Sequence, residues 1–593
     1  MEPLRLFDLV EYAHQHYSFK DDLLAGKYRS EWKKFNSSDF VRYTQQISCA
    51  FLSLLGSRKG GRIVTIINNR PEWIMIDMAI MQAGFVHVPV YPTISKDDYK
   101  FILGHCEPTA LIVSDKSVYE KIKSILPNTS VQYVFSLVPI DNTISWDQLL
   151  KIGEEQESKY LEELKSLKES IKPDDIATII YTSGTTGDPK GVMLTHENIL
   201  SNVIATSKVH CLGADNRALS FLPLSHVYER MLNYHYLYRG ISIYYAENMG
   251  TIADNLKEVK PHIFCAVPRI FELFFEKIQA KGHDLPFPLR WIFFHAIRQG
   301  VNYDIDKKRS IFRRIHYKLL NALVYSKIYH SLGGHLRIVV SGGASLQPRL
   351  ARFFWAAGVQ LLEGYGLTET SPVIAVNQLA PLRRVKIGTV GPVLEGVEVR
   401  LAPDGEILCK GPNVMKGYYK ADHLTAEVID SDGWFHTGDI GVFVEGTFLK
   451  ITDRKKEIFK LSSGKYIAPQ PIENLLKESE FIEQAIVIGE NEKFASALIL
   501  PNFYYLHSWC AYHKIHFQDN EDLIKIPQIQ SLYQDVVSKV NRQLGQTEQI
   551  KRIRLLAHPW SYETGELSPT LKLKRKFIQH KYRDIIREIY QKE

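Results

Sequence analysis

Apolar and polar positions alternate along this chain in two rhythms, one of period two and one of helical period, and together they predict its elements. From Arg62 the run RIVTIINNRPEWIMIDMAIMQAGFVHVPVYPT reads as a strand, a polar turn, an amphipathic helix opened at Pro71 and a second strand at FVHVPVY. ALIVSD adds a further strand, so this region predicts a parallel sheet with helices on its faces. Residues 151–172, rich in Glu and Lys, predict a helix with a solvated face. IATII reads as a buried strand, and ILSNVIATSKV, eighteen residues on, has helical spacing. Later come an aromatic-rich helix over 228–245, the strand-to-helix unit FCAVPRIFE, and two strands, LRIVV and VQLLEGYG, that end in glycine turns. Residues 388–420 alternate short strands with Gly turns, as a small β subdomain does, and QAIVIGE and FASALILP predict the strands of a last, small α/β domain.

At 593 residues the chain exceeds one ordinary core, so two or more domains are expected. Its 45% hydrophobic and 23% charged residues are those of a globular protein. No run approaches about 18 consecutive apolar residues, and the N-terminal stretch carries early acids with no apolar h-region. A cytoplasmic location is the expectation. The six cysteines form no CxxC pair, which argues against a disulfide framework or a zinc site. A net charge of +7 is mild for this length; it calls for no nucleic acid and suits anionic substrates.

Between IATII and the helix stands YTSGTTGDPKGVMLTHEN. Thr182, Ser183, Thr185 and Thr186 surround Gly184 and Gly187, so hydroxyls and backbone N–H groups can converge on one anion, and Lys190 adds a point charge suited to phosphate. Strand, loop, helix is the expected context. It is not a Walker A loop, because no Gly directly precedes Lys190 and Gly191 stands where Ser or Thr is required.

YTSGTTGDPKG resembles the signature of the adenylate-forming, or AMP-binding, superfamily, and further motifs follow in that family's order: SHVYER, FCAVPRIFE, VVSGGA, EGYGLTETSP, GWFHTGD, ITDRKKEIFKLSSGKYIAP and LSPTLKLKRK. The resemblance implies an α/β fold in which residues 1–452 form a large domain of two parallel α/β subdomains plus a small β subdomain, and residues 453–593 form a small mobile domain hinged near Lys456. It implies ATP, Mg2+ and coenzyme A as ligands. Within it, Gly342, Gly343 and Ala344, with Glu363, Gly364, Tyr365 and Gly366, line the base of the nucleotide, Tyr365 offering a ring to stack on. Thr368 contacts phosphate, Glu369 holds magnesium, Asp439 holds the ribose hydroxyls with help from Arg454, and His226 lies by the substrate carboxylate. Ser463 and Gly464 approach the thiol arm of CoA, and Lys572 enters the active site, with Lys574 as its rival for that place.

HVYER and PTLKLKR resemble the long-chain branch, so the implied activity is ATP-dependent ligation of a long-chain fatty acid to CoA through an acyl-adenylate. Some long-chain members gate the fatty-acid tunnel with a Trp where this chain has Arg230. The alternatives are a fatty acyl-AMP ligase that loads a carrier protein, and a catalytically dead membrane-binding scaffold. Residues 285–337 alternate aromatic and basic side chains. They fit either a contact with an anionic membrane at the inner face, with Trp291, Phe293, Phe294 and Phe312 dipping in, or a helical subdomain that packs those rings inward. A homodimer stays open at this level.

Overall fold

A computed structural model describes residues 2–182, 189–307, 310–561, 563–568 and 572–591. Two compact units emerge. The first comprises residues 1–399, 409–435 and 445–448, and the second 400–408, 436–444 and 449–593.

The first unit is built on two eight-stranded sheets. In one, the order from edge to edge is Val373–Val376, Gln360–Gly366, Ile338–Ser341, Ile263–Ala266, Arg217–Ser220, Ser242–Tyr245, Leu24–Tyr28 and Glu31–Phe35. The six inner strands are parallel, with an antiparallel strand at each edge. In the other, the order is Gly417–Tyr418, Lys190–Thr195, Ile176–Thr182, Val86–Pro89, Arg62–Ile66, Ala110–Val113, Tyr133–Ser136 and Ile144–Ser145, parallel from Ile176–Thr182 onward. The inner strands are short apolar runs because helices cover both faces. The predicted α/β class with parallel sheets is the one observed.

Three local expectations need correction. The helix Pro71–Gln82 is not amphipathic: every one of its residues is buried, because it touches strands of both sheets. The predicted passage from phosphate loop to helix is interrupted by a strand, Lys190–Thr195, which folds back antiparallel on Ile176–Thr182 before the helix His196–Ser207 begins. VMLT, apolar and partly β-branched, favours that pairing, and Thr195 then caps the helix by accepting from the Asn198 N–H at 3.1 Å. The aromatic stretch 228–245 is likewise two elements. Helix Val227–Arg239 stops at Gly240, whose φ of 66° is left-handed, and the β-branched run beyond forms the strand Ser242–Tyr245.

The second unit has its own core, around Ile472, Ile486, Leu498, Leu506, Ile529 and Tyr533. Its three-stranded sheet pairs Ile482–Ile488 antiparallel and Arg552–Leu555 parallel to Ser496–Pro501. QAIVIGE and FASALILP are thus the strands expected. A four-stranded sheet of Glu398–Leu401, Glu406–Lys410, Phe435–Val444 and Phe448–Arg454 leads into it. Among the described residues, no helix is long and apolar enough to cross a membrane.

Candidate active site

Ser183, Gly184, Thr185, Thr186 and Gly187 lie outside the described residues. The residues flanking them are placed by the hairpin: Thr182 ends one strand and pairs with Lys190, which starts the next. Gly191 keeps the two strands close, since a Cβ there would stand 2.9 Å from Ile179 Cγ2.

Lys190 belongs to a group that local sequence does not announce. Its ammonium lies 5.1 Å from the centre of the Tyr418 ring, and the Tyr418 hydroxyl donates to Glu369 Oε1 at 2.9 Å. Burial, and then the negative charge of Glu369, push the Tyr418 phenol far up, so it remains a donor throughout the physiological range. Tyr418 was not singled out from the sequence, where it stands 49 positions from Glu369. It arrives because Gly417–Tyr418 forms the edge strand beside Lys190–Thr195.

Glu369 and Thr368 occupy a single 3-10 turn, Thr368–Thr370, both half-buried. This turn closes the hairpin between Gln360–Gly366 and Val373–Val376, and the closure needs glycine: a Cβ on Gly366 would sit 1.7 Å from the Pro372 carbonyl oxygen. Gly364 and Tyr365 are half-buried on the same strand. Glu363 is buried and accepts from the Gly388 N–H at 3.0 Å; burial pushes its carboxyl up to about 7.

Gly342, Gly343 and Ala344 follow the strand Ile338–Ser341, with Gly343 at φ 84°. The glycine at 342 lets an aromatic ring approach, because the Tyr228 ring lies 3.0–3.2 Å from where a Cβ would be. Tyr228 belongs to the motif that carries His226. That histidine caps the helix Val227–Arg239, its Nδ1 accepting from the Tyr228 N–H at 3.2 Å, so the neutral ring keeps its proton on Nε2.

Arg230 stands where the motif of some long-chain members carries a Trp. It is fully buried, donates to Thr178 Oγ1 at 2.6 Å and to Asp77, and lies over the Trp73 ring at 5.5 Å. Tyr234 and His87 complete the cluster, both hydrogen-bonded to Asp77. Burial alone would raise the Asp77 carboxyl; the Arg230 guanidinium and His87 overcome this and hold it below the usual range. His87 is pushed down to about 4 by burial and stays neutral.

In the second unit, Asp439 is buried and accepts from Arg454 Nε at 2.9 Å. The structure thus pairs these two predicted ribose residues. Lys456 is exposed in the turn 455–457. Downstream, Ser463 and Gly464 form the exposed tip of a hairpin between Phe459–Lys460 and Tyr466–Ile467, Gly464 at φ 84°. Lys572 is tied to Ser568: its N–H donates to Ser568 Oγ at 3.1 Å and its carbonyl accepts from the Ser568 N–H at 2.8 Å. Lys574 instead precedes the helix Arg575–Lys581, with its ammonium 5.5 Å from the Phe577 ring centre. Arg575 bridges two carboxylates, Glu473 at 2.8 Å and Glu457 at 3.5 Å, beside the buried Asp453, whose pKa burial raises to about 6.

Comparison with known proteins places this arrangement. Residues 14–419 match the model of a family described as AMP-binding enzyme, and residues 456–593 that of the AMP-binding enzyme C-terminal domain. The chain is 33% identical over 562 residues to the long-chain-fatty-acid–CoA ligase FadD15 of Mycobacterium bovis, covering 92% of this chain and 91% of that one. It is 34% identical over 553 residues to the long-chain-fatty-acid–CoA ligase 1 of Cavia porcellus, covering 88% of this chain and 77% of that one. Among solved structures, the adenylation domain of a carboxylate reductase from Mycobacterium chelonae superposes with a TM-score of 0.75 at 21% identity, over 99% of this chain and 92% of that one.

Proposed function

The chain belongs to the family of AMP-binding enzymes, and from that premise we propose that it joins a long-chain fatty acid to coenzyme A at the expense of ATP, through an acyl-adenylate, releasing AMP and pyrophosphate. The observation that carries this reading is the group of Lys190, Tyr418 and Glu369, gathered beside the phosphate-loop sequence.

A carboxylate is a poor acyl donor until its oxygen leaves with AMP, and reaching that state requires one anion to attack another. Lys190, Thr182 and the donors of residues 183–187 would cradle the phosphates and disperse the charge that builds at the α-phosphate. Glu369 suits Mg2+, a hard ion that takes one or two carboxylates and completes its shell with phosphate oxygens and water. Bound there, the ion would neutralise phosphate charge, while the Tyr418 hydroxyl fixes the carboxylate's orientation. His226 would face the fatty carboxylate. Gly342, Gly343, Ala344 and Tyr365 would receive the adenine, Asp439 and Arg454 the ribose, and Lys572 the charge of the first half-reaction.

The second half-reaction needs a thiolate at the acyl carbonyl and no further use of Lys572. We assign the exchange to a rotation of residues 453–593 about Lys456 that withdraws Lys572 and brings in Ser463 and Gly464. The long-chain assignment rests on the named relatives. Each buried methylene adds roughly 0.8 kcal/mol, so about ten of them separate long acids from short by roughly 8 kcal/mol before entropic losses.

The test is ATP-to-AMP conversion across acids from short to very long, with and without CoA. AMP and thioester should appear together, only with CoA, and peak with long acids. Adenylate without thioester would overturn CoA as acceptor in favour of a carrier protein.

A further inference from the structure

The sheet that carries Thr182 and Lys190 has two ends, and the candidate active site uses one of them. Thr182 closes the strand Ile176–Thr182 at its carboxyl end. At the opposite end, where Arg62, Val86 and Ile176 begin their parallel strands, the first unit forms a cavity of about 280 Å³. That is close to the lower bound, roughly 300 Å³, of pockets that hold small ligands. One wall is apolar: Met81, Phe85, Val86, Ile171 and Ile179 are all buried along it. The rim is cationic, with Lys59 and Lys416 exposed and Arg62 half-buried.

The charges of the rim are unequally matched. Lys59 pairs with Asp175 at 2.8 Å, and Asp175 also accepts from the Lys172 N–H at 2.8 Å. This carboxylate, which alone lines the cavity, is thereby occupied and offers nothing to a cation. Lys416 donates to the Asp174 carbonyl at 3.2 Å and has no carboxylate partner among the described residues. Arg62 donates to the Cys106 and Glu107 carbonyls at 2.7 and 3.1 Å; its nearest carboxylate, Glu107 at 3.7 Å, is shared with Lys420 at 3.0 Å. Two cations short of negative charge select an anion.

His196 adds an uncharged donor. It lines the cavity at 2% exposure, and burial pushes its pKa down to about 4, so the ring is neutral. Its Nδ1 accepts from the Leu6 N–H at 3.3 Å, which leaves the proton on Nε2. That Nε2–H has no partner among the described residues, an unfavourable state for a buried donor. His196 and Lys416 are anchored to the same turn, the histidine N–H donating to the Asp175 carbonyl at 3.3 Å beside the Asp174 carbonyl that holds Lys416. One head group can meet both.

We propose that this cavity binds a small amphipathic anion, a carboxylate or phosphate monoester on a short apolar body. Its oxygens would accept from Lys416 and the His196 Nε2–H within the positive field of Arg62, and its body would lie against Met81, Phe85 and Ile179. An apolar molecule would leave the His196 donor unmet, and a bare anion would leave the apolar wall wet. The proposal stands on this cavity alone and not on the ligase reading.

The experiment is methyl NMR of the full chain with isotope-labelled methionine methyl groups, titrated with octanoate, octyl phosphate, octanol and inorganic phosphate. The chain has eight methionines, and Met81→Leu assigns the signal that reports from the cavity, which separates this site from the acyl site. The Met81 signal should shift saturably with at least one of the two amphipathic anions, and the one that binds names the head group. Octanol and phosphate should each bind about tenfold or more weakly. Lys416→Glu, at an exposed position, should melt with the parent and lose about tenfold or more in affinity. The proposal is overturned if neither anion moves the Met81 signal, if octanol or phosphate alone moves it as readily, or if Lys416→Glu binds as the parent does.

Discussion

Glu229 is the side chain whose surroundings most constrain its chemistry. One carboxyl oxygen accepts from Ser220 Oγ at 2.6 Å; the other is buried without a hydrogen-bond partner. Burial pushes its pKa up to about 8, so it is a neutral acid at pH 7. The folded chain therefore holds this proton more tightly than the unfolded chain does, and stability falls as pH rises from about 4.5 to about 8. Glu229→Gln keeps the shape and removes the titration. Relative to the parent it should gain with pH across that window, reaching about 1–3 kcal/mol above pH 8, as read from urea unfolding at several pH values. A difference that does not vary with pH would remove the protonated-acid assignment.

The helix Val227–Arg239 shows how an element carries such residues in opposite directions. Its first turn sets Tyr228 against Gly342, behind the capping His226, and sends Arg230 into the charged core cluster with Asp77. Arg230→Met should cost about 3–5 kcal/mol in urea unfolding, because the Asp77 carboxylate would be left buried without its partner. Arg230→Met combined with Asp77→Asn should recover most of that loss, and a double variant as unstable as the single one would show that packing, not charge, sets the cost. Sequence reading reached the motif and the helix start, because capping and spacing are local. It found Arg230 where some relatives carry a gating Trp but could not place its side chain, since Asp77 lies 153 positions away and meets it only in the folded chain. Tyr418 escaped for the same reason. Asp439 and Arg454, 15 apart on neighbouring strands, were legible as a pair. The strand Lys190–Thr195 was misread because its apolar run runs straight into the helix spacing that follows.

At the scale of the whole molecule, two units with separate cores share one chain, and Lys456 stands in the exposed turn near their junction. Lys456→Pro fixes φ and deletes an N–H in that turn. Adenylate formation should stay within about twofold of the parent while thioester formation falls about tenfold or more, measured as separate half-reactions. Equal losses in both would exclude a hinge there. The Arg575 bridge described above then acquires a mechanical meaning. Glu457 directly follows Lys456 in the turn and Arg575 comes three residues after Lys572, and the pair closes at 3.5 Å with Glu473 as a second anchor at 2.8 Å. The chain between them is thus fastened at both ends. Torsion at a single residue would be delivered to Lys572 with little slack, as a crank moves its pin, and cutting Arg575 would uncouple the two while leaving the lysine itself in place.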